Sequence, residues 1–482
     1  MRENTDSLAE ACICYSGDLT DPKNTKFNLS YYIDLAKRLE SAGAHILAIK
    51  DMAGLLKPLA AKELITALRE EVSLPIHLHT HDTSGIQSAT YLEAVNSGVD
   101  VIDVALNSLS GLTSQPGYNS IVAMMQGHER ENPVDLPLLN QYADYFELVR
   151  NYYYPFETEL RAGTATIYDT EIPGGQYSNL RPQARGLGLE EQFSTIRTNY
   201  AAANRLFGNL VKVTPSSKVV GDMAMFMTSN GLTEADVRQR GDQLDFPDSV
   251  KSLMRGDLGQ IEGGFDKEIQ QLVLKGEKPY TDRPNAHLEP VDFDAVAAEY
   301  REAFGEEPSM MDLLSQQLYP KVFAEFKEFQ QEYGAVSNLP TTAFFYGLKP
   351  NEEILVRLSA GKRIAIKYLN MTNADEFGNR LVFFSLNGQT RSITVRDRSL
   401  ESKVAKHVKA GGKNEVGSPL QGNLSRILVK VGDQVSAGDP LFVIEAMKME
   451  STITSPMDGE VTLVPLGEKT LVESGDLVVR IG

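Results

Sequence analysis

At 482 residues the chain exceeds one ordinary core and predicts two to four domains of about 100 to 200 residues each. A formal net charge of -18 argues against nucleic acid as a partner, because it repels a phosphate backbone, and no apolar run of about 18 residues is present to span a membrane. Only two cysteines occur, which excludes a disulfide framework, and the polar start "MRENTDSLAE" lacks the basic and apolar stretches of a signal peptide. The expected location is the cytoplasm of a bacterium, or the mitochondrial matrix if the source is eukaryotic.

Over the first 110 residues, apolar runs alternate with amphipathic stretches. "EACICYSGD" (10 to 18), "AHILAIKD" (44 to 51), "LPIHLHTHD" (74 to 82) and "VDVIDVAL" (99 to 106) read as strands, with helices at 31 to 43, 57 to 72 and 84 to 98. The strands are apolar enough to be covered on both faces, so parallel α/β is predicted, with a TIM barrel as the first choice. A further strand is placed near "YDTEIP" (168 to 173), and Cys12 and Cys14 read as buried core residues rather than a metal pair.

Polar residues fall late in these strands: Lys50 and Asp51, His79 to Asp82, then Asn107 and Ser108. In barrels of this kind the carboxyl ends of the strands carry the chemistry. His77, His79 and His81 are spaced two apart and therefore share one strand face. Taken alone they fit a polar core layer as well as a metal site, in which a His-x-His pair offers imidazole nitrogens at about 2.0 to 2.1 Å. Lys50 closes the preceding strand. Either it pairs with Asp51 or Asp82 or, partly withdrawn from water, it adds CO2 and becomes a carbamate, an anionic oxygen ligand.

Residues 185 to 337 read as mostly helical. From 338 to 402 four segments alternate with period two, and Asn387-Gly388 stands where a type I′ hairpin turn is wanted. Residues 403 to 415, rich in Lys and Gly, read as a flexible linker. The remainder, 416 to 482, contains a repeat: "SPLQG" (418 to 422) returns as "SPMDG" (455 to 459), and "AGDPLFVIE" (437 to 445) as "SGDLVVRIG" (474 to 482). The copies meet at "AMKMES", which places Lys448 at the tip of the joining hairpin of a two-fold β-sandwich. A solvated lysine is the ordinary reading of such a position. A lysine flanked by two methionines at the symmetry point of a repeat, however, resembles the biotinyl carrier domain, whose "AMKM" lysine is biotinylated.

A carrier needs a delivery site. "IKDMAGLLKP", "HTHDTSG", "SGLTSQP", "IPGGQYSNL" and "KVTPSSK" together resemble the carboxyltransferase domain of the pyruvate carboxylase family. The resemblance implies carbamylated Lys50, His79 and His81 as ligands of a divalent metal, Zn or Mn, with His77 in support. It implies Thr214 as the proton relay between biotin and the pyruvate enolate, Ser217 and Lys218 as contacts of the incoming biotin, and Gln176 beside that pocket. "TPSSK" also reads as a helix start, with Thr214 as N-cap and Pro215 at the first helical position.

The implied organisation is a partial carboxyltransferase TIM barrel over 1–184, its helical C-terminal part over 185–337, a tetramerisation or allosteric region over 338–402, the linker, and the carrier. The implied reaction moves a carboxyl group from carboxybiotin on Lys448 to pyruvate, giving oxaloacetate. The implied partners are a biotin protein ligase and a biotin carboxylase region that uses ATP and bicarbonate, within a homotetramer. The family's upstream aspartate ligand, and its pyruvate-holding arginine and tyrosine, have no counterpart here. Four or five barrel strands of eight are therefore expected, as in a C-terminal part of a longer protein. The alternatives are an oxaloacetate decarboxylase α subunit or transcarboxylase subunit, and a biotin acceptor or assembly module without catalysis.

Overall fold

The structure, a computed structural model, describes all residues except 1–4, 158–159, 335, 375–378, 398, 400–406 and 447–448. Packing divides it into two units, 1–286 together with 407–482, and 287–406. Among the described residues no helix is long and apolar enough to cross a membrane.

In the first unit, strands β1 (Glu10–Cys14), β2 (Ile46–Asp51), β3 (Ile76–Thr80) and β4 (Val101–Ile102) form one parallel sheet in sequence order. Helices α1 (Leu29–Ser41), α2 (Pro58–Glu71) and α3 (Gln87–Asn96) make the crossovers. Asn28 opens α1 by accepting from the Tyr31 N–H, and Pro58 starts α2 where its missing N–H costs nothing. Pleating sends Ile13, Leu47, Ile49, Ile76 and Leu78 to the helix-covered face, each at most 1% exposed. Burial of each such side chain contributes roughly 1.5 to 3 kcal/mol.

The opposite face carries Cys12, Cys14, Lys50, His77 and His79, with Cys14, Lys50 and His79 side by side in register. This corrects the expected double cover. Four strands do not close a barrel, so the axis face meets solvent, and Cys12 is exposed and Cys14 half-buried rather than core. The strand expected at 168 to 173 is also absent. The segment forms the single helical turn α6 (Ile167–Thr170) instead, after α4 (Tyr118–Met125) and α5 (Leu136–Arg150). Ile167 is driven into the core, Glu171 breaks the turn in the left-handed region (φ 54°), and Pro173 leads straight into α7 (Gly174–Gly186).

Helices α8 (Phe193–Leu206), α9 (Ser216–Ser229), α10 (Glu234–Arg240), α11 (Asp248–Arg255) and α12 (Lys267–Leu274) follow. Leu180, Ile196, Tyr200, Val220 and Met223 join the sheet's core without a break.

The second unit begins with α13 (Phe293–Phe304), α14 (Met310–Leu318), α15 (Pro320–Tyr333) and α16 (Thr341–Tyr346). An antiparallel meander follows: β5 (Glu353–Ser359), β6 (Lys362–Met371), β7 (Asn379–Leu386) and β8 (Gln389–Arg396). Asn387 and Gly388 both have positive φ, 48° and 84°, as the type I′ turn requires.

The C-terminal repeat folds as two sheets, and each draws on both copies. Strands β9 (Glu415–Gly417), β10 (Gly422–Ile427), β11 (Gln434–Val435) and β12 (Pro440–Ala446) come from the first copy. The second copy supplies β13 (Met449–Thr454), β14 (Gly459–Leu463), β15 (Leu471–Val472) and β16 (Leu477–Ile481). The sheet orders are β13-β12-β10-β15 and β9-β16-β14-β11, so exchanging the copies turns one sheet into the other.

Matching contacts hold the two halves: Ser418 Oγ donates to Leu420 O, and Ser455 Oγ to Met457 O. Asp439 and Asp476 accept from the N–H three residues back, each at 2.7 Å. Residues 407–415, expected as free linker, are tied to this domain. Leu477 N–H donates to Val408 O at 2.7 Å, and the Lys409 ammonium meets Asp476 at 2.8 Å. The rest of that segment, like Lys448, lies outside the described residues.

Gly422 and Gly459 occupy equivalent places, and a Cβ at either would stand 2.5 Å from the Cγ2 of Ile444 or Ile481. Gly422→Ala and Gly459→Ala are each expected to destabilise the domain by roughly 1 to 3 kcal/mol in thermal unfolding. Gly467→Ala, which would meet nothing within 4 Å, is expected to be neutral.

Candidate metal centre

The site begins with β3. His79 and His81 turn their Nε2 atoms toward each other at 3.3 Å. On its outer side each ring faces an acceptor: His79 Nδ1 lies 2.7 Å from Asp103 Oδ2, and His81 Nδ1 lies 2.6 Å from the Thr113 carbonyl. The neutral rings therefore carry their hydrogens on Nδ1 and present both Nε2 lone pairs inward. Two nitrogens at about 2.0 to 2.1 Å from a tetrahedral ion stand roughly 3.3 to 3.4 Å apart, so the pair fits one divalent cation.

His81 is held below the usual histidine range by burial, with the neighbouring charges of His79 and Lys50 acting the same way, which favours the ligating neutral form. His77 differs. Its Nδ1 faces Glu10 Oε1 at 3.2 Å and its Nε2 faces Asp103 Oδ1 at 2.9 Å. Burial alone would lower its pKa, but Asp103 and Glu10 outweigh burial and raise it. At Asp103 burial raises the pKa, but the bonds from His79 and His77 outweigh it and the carboxyl sits low.

Lys50 lies on the neighbouring strand, level with His79, and no ion pair forms on it among the described residues. The alternative of a bridge to Asp51 is not realised. That carboxylate, fully buried and raised by burial, accepts from Leu55 and Leu56 N–H and from Thr80 Oγ1. Asp82 accepts from Gln87 N–H instead. Among the described residues no group of three or more His, Cys, Asp or Glu is arranged so as to hold a metal ion by itself. The chain's own donors here are thus two imidazoles and whatever Lys50 provides.

Two glycines make room for His81. Gly54, at φ +73°, passes so close that a Cβ would strike the His81 carbonyl, and a Cβ on Gly174 would stand 2.7 Å from His81 Nδ1. Gly174 N–H also donates to Met52 O at 2.7 Å, fixing the start of α7 against the end of β2. Two residues on, Gln176 packs over Gly221 of α9, where a Cβ would lie 2.6 Å from its Nε2. Helix α7 thus links the histidines to α9.

At the head of α9 the expected cap fails: the helix starts at Ser216 with Pro215 as N-cap, a residue without a side-chain acceptor. Ser216 Oγ ties the preceding turn instead, to Val211 O and Val213 O. Thr214 is left exposed, with no hydrogen bond to a described residue. The buried Lys212 ammonium, 2.7 Å from Glu171, anchors this turn beside the entry to α7. Ser217, in the first turn of α9, is buried. Lys218 is exposed, pairs with Asp222 at 2.7 Å, and lines a cavity of about 840 Å³ whose other wall includes Glu450 and Ser451 of β13. Arg426 reaches across to Asp248 at 3.5 Å.

The sequence reading missed Asp103, Thr113 and the two glycines. Asp103 directly follows the two-residue strand β4, and no local pattern marked it.

Three family profiles match the chain: one described as "HMGL-like" over residues 16–145, "Conserved carboxylase domain" over 167–367, and "Biotin-requiring enzyme" over 414–481. The chain is 45% identical over 480 residues to the pyruvate carboxylase of Bacillus subtilis (strain 168), covering 99% of this chain and 42% of that protein. It is 42% identical to the human mitochondrial pyruvate carboxylase, covering 98% of this chain and 41% of that one. It therefore spans about two fifths of the length of the curated relatives it matches. Among solved structures, the carboxyl transferase domain of Rhizobium etli pyruvate carboxylase with pyruvate and biocytin superimposes with a TM-score of 0.77 at 49% identity. That match covers 81% of this chain and 66% of the other.

Gly174→Ala is expected to displace the His81 ring and weaken divalent-metal binding at least about tenfold by calorimetry. Gly175→Ala, which would meet nothing within 4 Å, should bind as the wild type does.

Proposed function

The chain belongs to the pyruvate carboxylase family, as its C-terminal part, and on that premise we propose that it carries the carboxyl-transfer half of the reaction, from biotin on Lys448 to pyruvate, giving oxaloacetate. The observation that carries this reading is the inward-facing His79 and His81 pair with Lys50 level beside it. A divalent cation there supplies Lewis-acid polarisation of the substrate carbonyl, and biotin on Lys448 supplies a tethered carboxyl donor and proton acceptor.

The net change at pyruvate is one methyl C–H bond exchanged for a C–C bond, so a proton must leave as the carboxyl group arrives. Thr214 is suited to that transfer. Its hydroxyl is too weak an acid or base to hold the proton, so it receives one while giving another. It stands exposed just before α9, without a hydrogen bond among the described residues, on a turn anchored by Lys212. Gln176, Ser217 and Lys218 sit on α7 and α9 and shape the place where the ring docks. The cavity shared by Lys218 and β13 supports delivery, since β13 begins one residue after Lys448. A carbamate on Lys50 completes the chain's own ligand set. In this reading residues 338–402 serve assembly, and the ligase, the biotin carboxylase region with its ATP and bicarbonate, and a homotetramer are the partners. The location is cytoplasmic in a bacterium or the mitochondrial matrix in a eukaryote.

A second reading, acceptor without catalysis, is favoured by one observation: the open axis face leaves the metal site with two imidazoles and one lysine. The two readings separate experimentally. With the preceding segment of a relative supplied, Thr214→Ala is expected to lower oxaloacetate formation by about 10²-fold or more at unchanged metal content. A near-normal rate would reduce Thr214 to a turn residue and favour the acceptor reading. Lys448→Arg is expected to abolish avidin capture after treatment with biotin protein ligase, and surviving capture would contradict the carrier assignment.

A further inference from the structure

The open sheet face carries a second feature, a polar chain that runs from one side of the sheet to the other. It starts at Glu10 on β1, reaches over β2 to His77 on β3, continues to Asp103 just past β4, and returns to His79. The crossing is made where β2 presents Ala48, in register with Cys12 and His77, so a small side chain leaves the gap open. We propose that Asp103 is a positioning residue: one carboxylate oxygen orients His79 so that its Nε2 meets a divalent cation, and His77, braced by Glu10, holds the other oxygen in place. The inference rests on reading His79 and His81 as metal ligands.

Three observations carry it. The backbone of Asp103 is fixed independently of its side chain. Its N–H donates to Leu78 O at 3.2 Å, and its carbonyl accepts from Tyr91 OH at 2.7 Å, while that same hydroxyl accepts from Thr80 N–H at 3.2 Å. Both carboxylate oxygens are engaged, Oδ2 by His79 at 2.7 Å and Oδ1 by His77 at 2.9 Å. A carboxylate gripped at both oxygens has little freedom to rotate away. Finally, His77 faces a carboxylate at each ring nitrogen, so both nitrogens are turned to Glu10 and Asp103. That separates its task from those of its two neighbours. Carboxylates placed behind a ligating imidazole fix its tautomer and orientation, and their loss typically costs about 10- to 100-fold in metal affinity.

The test uses the full chain, freed of metal by chelation and titrated with Co2+, whose visible absorption reports ligand geometry. Asp103→Asn keeps the shape but cannot accept from both rings. It is expected to weaken Co2+ binding about 10- to 100-fold and alter the absorption band, with unchanged thermal unfolding. His77→Gln, on the open face, leaves the Asp103 to His79 bond in place and is expected to give a smaller loss in the same direction. It keeps the inference testable if the Asn variant does not fold. Wild-type affinity and spectrum in both variants would overturn the positioning role alone. No Co2+ binding by the wild type, or binding unaffected by the double substitution His79→Ala with His81→Ala, would overturn the metal reading and this inference with it.

Discussion

Two imidazole nitrogens facing each other at 3.3 Å are the constraint on which the rest of the site depends. The arrangement is set from outside the pair. Thr113 and Asp103 take the outer hydrogens, so both inner lone pairs point at one another, and such an arrangement asks for a cation between them. Two glycines and one buried carboxylate protect it. Gly54 and Gly174 admit the His81 backbone and ring, and the buried Asp51 carboxylate, capping Leu55 and Leu56 and bonded to Thr80, ties the loop after β2 to the end of β3. A shift of one residue in the register of β3 would send both imidazoles into the helix-covered core.

Positioning then passes outward through main-chain contacts. Helix α7 starts against Met52 and His81 and packs on α9 through Gln176 and Leu180, so the segment bearing Gln176 and the turn bearing Thr214 are referenced to the histidines through one rigid element. The Lys212 to Glu171 pair closes that frame on the other side. The carrier is built on a different principle. A duplicated strand unit interlocks with itself, which fixes the two ends of each copy and pairs β12 with β13, from Pro440 opposite Thr454 to Ala446 opposite Met449, where the copies meet.

Much of this was legible in the sequence because it is periodic. The β–α alternation, the one-sided histidines, the Asn387-Gly388 turn and the repeat of 418–422 in 455–459 are local patterns with direct physical meaning. What escaped depended on non-local geometry. Cys12 and Cys14 look apolar in sequence, yet their burial depends on whether a sheet closes, which no local pattern states. Thr214-Pro215 looks like a helix start, but the Ser216 hydroxyl takes the preceding carbonyls and the helix begins one residue later. Asp103 follows a strand of two residues and is brought to His79 only by sheet pairing, so nothing in its neighbours announced it. The segment at 168 to 173 reads as a strand by composition, but burial of Ile167 and the left-handed Glu171 decide otherwise.

The most direct measurement of the central claim is anomalous scattering from crystals of the protein grown with Zn2+ or Mn2+. The account predicts a peak between His79 and His81, about 2.0 to 2.2 Å from both Nε2 atoms, with density extending from Lys50 toward it. A map with no peak there, and the two rings turned apart, would contradict it.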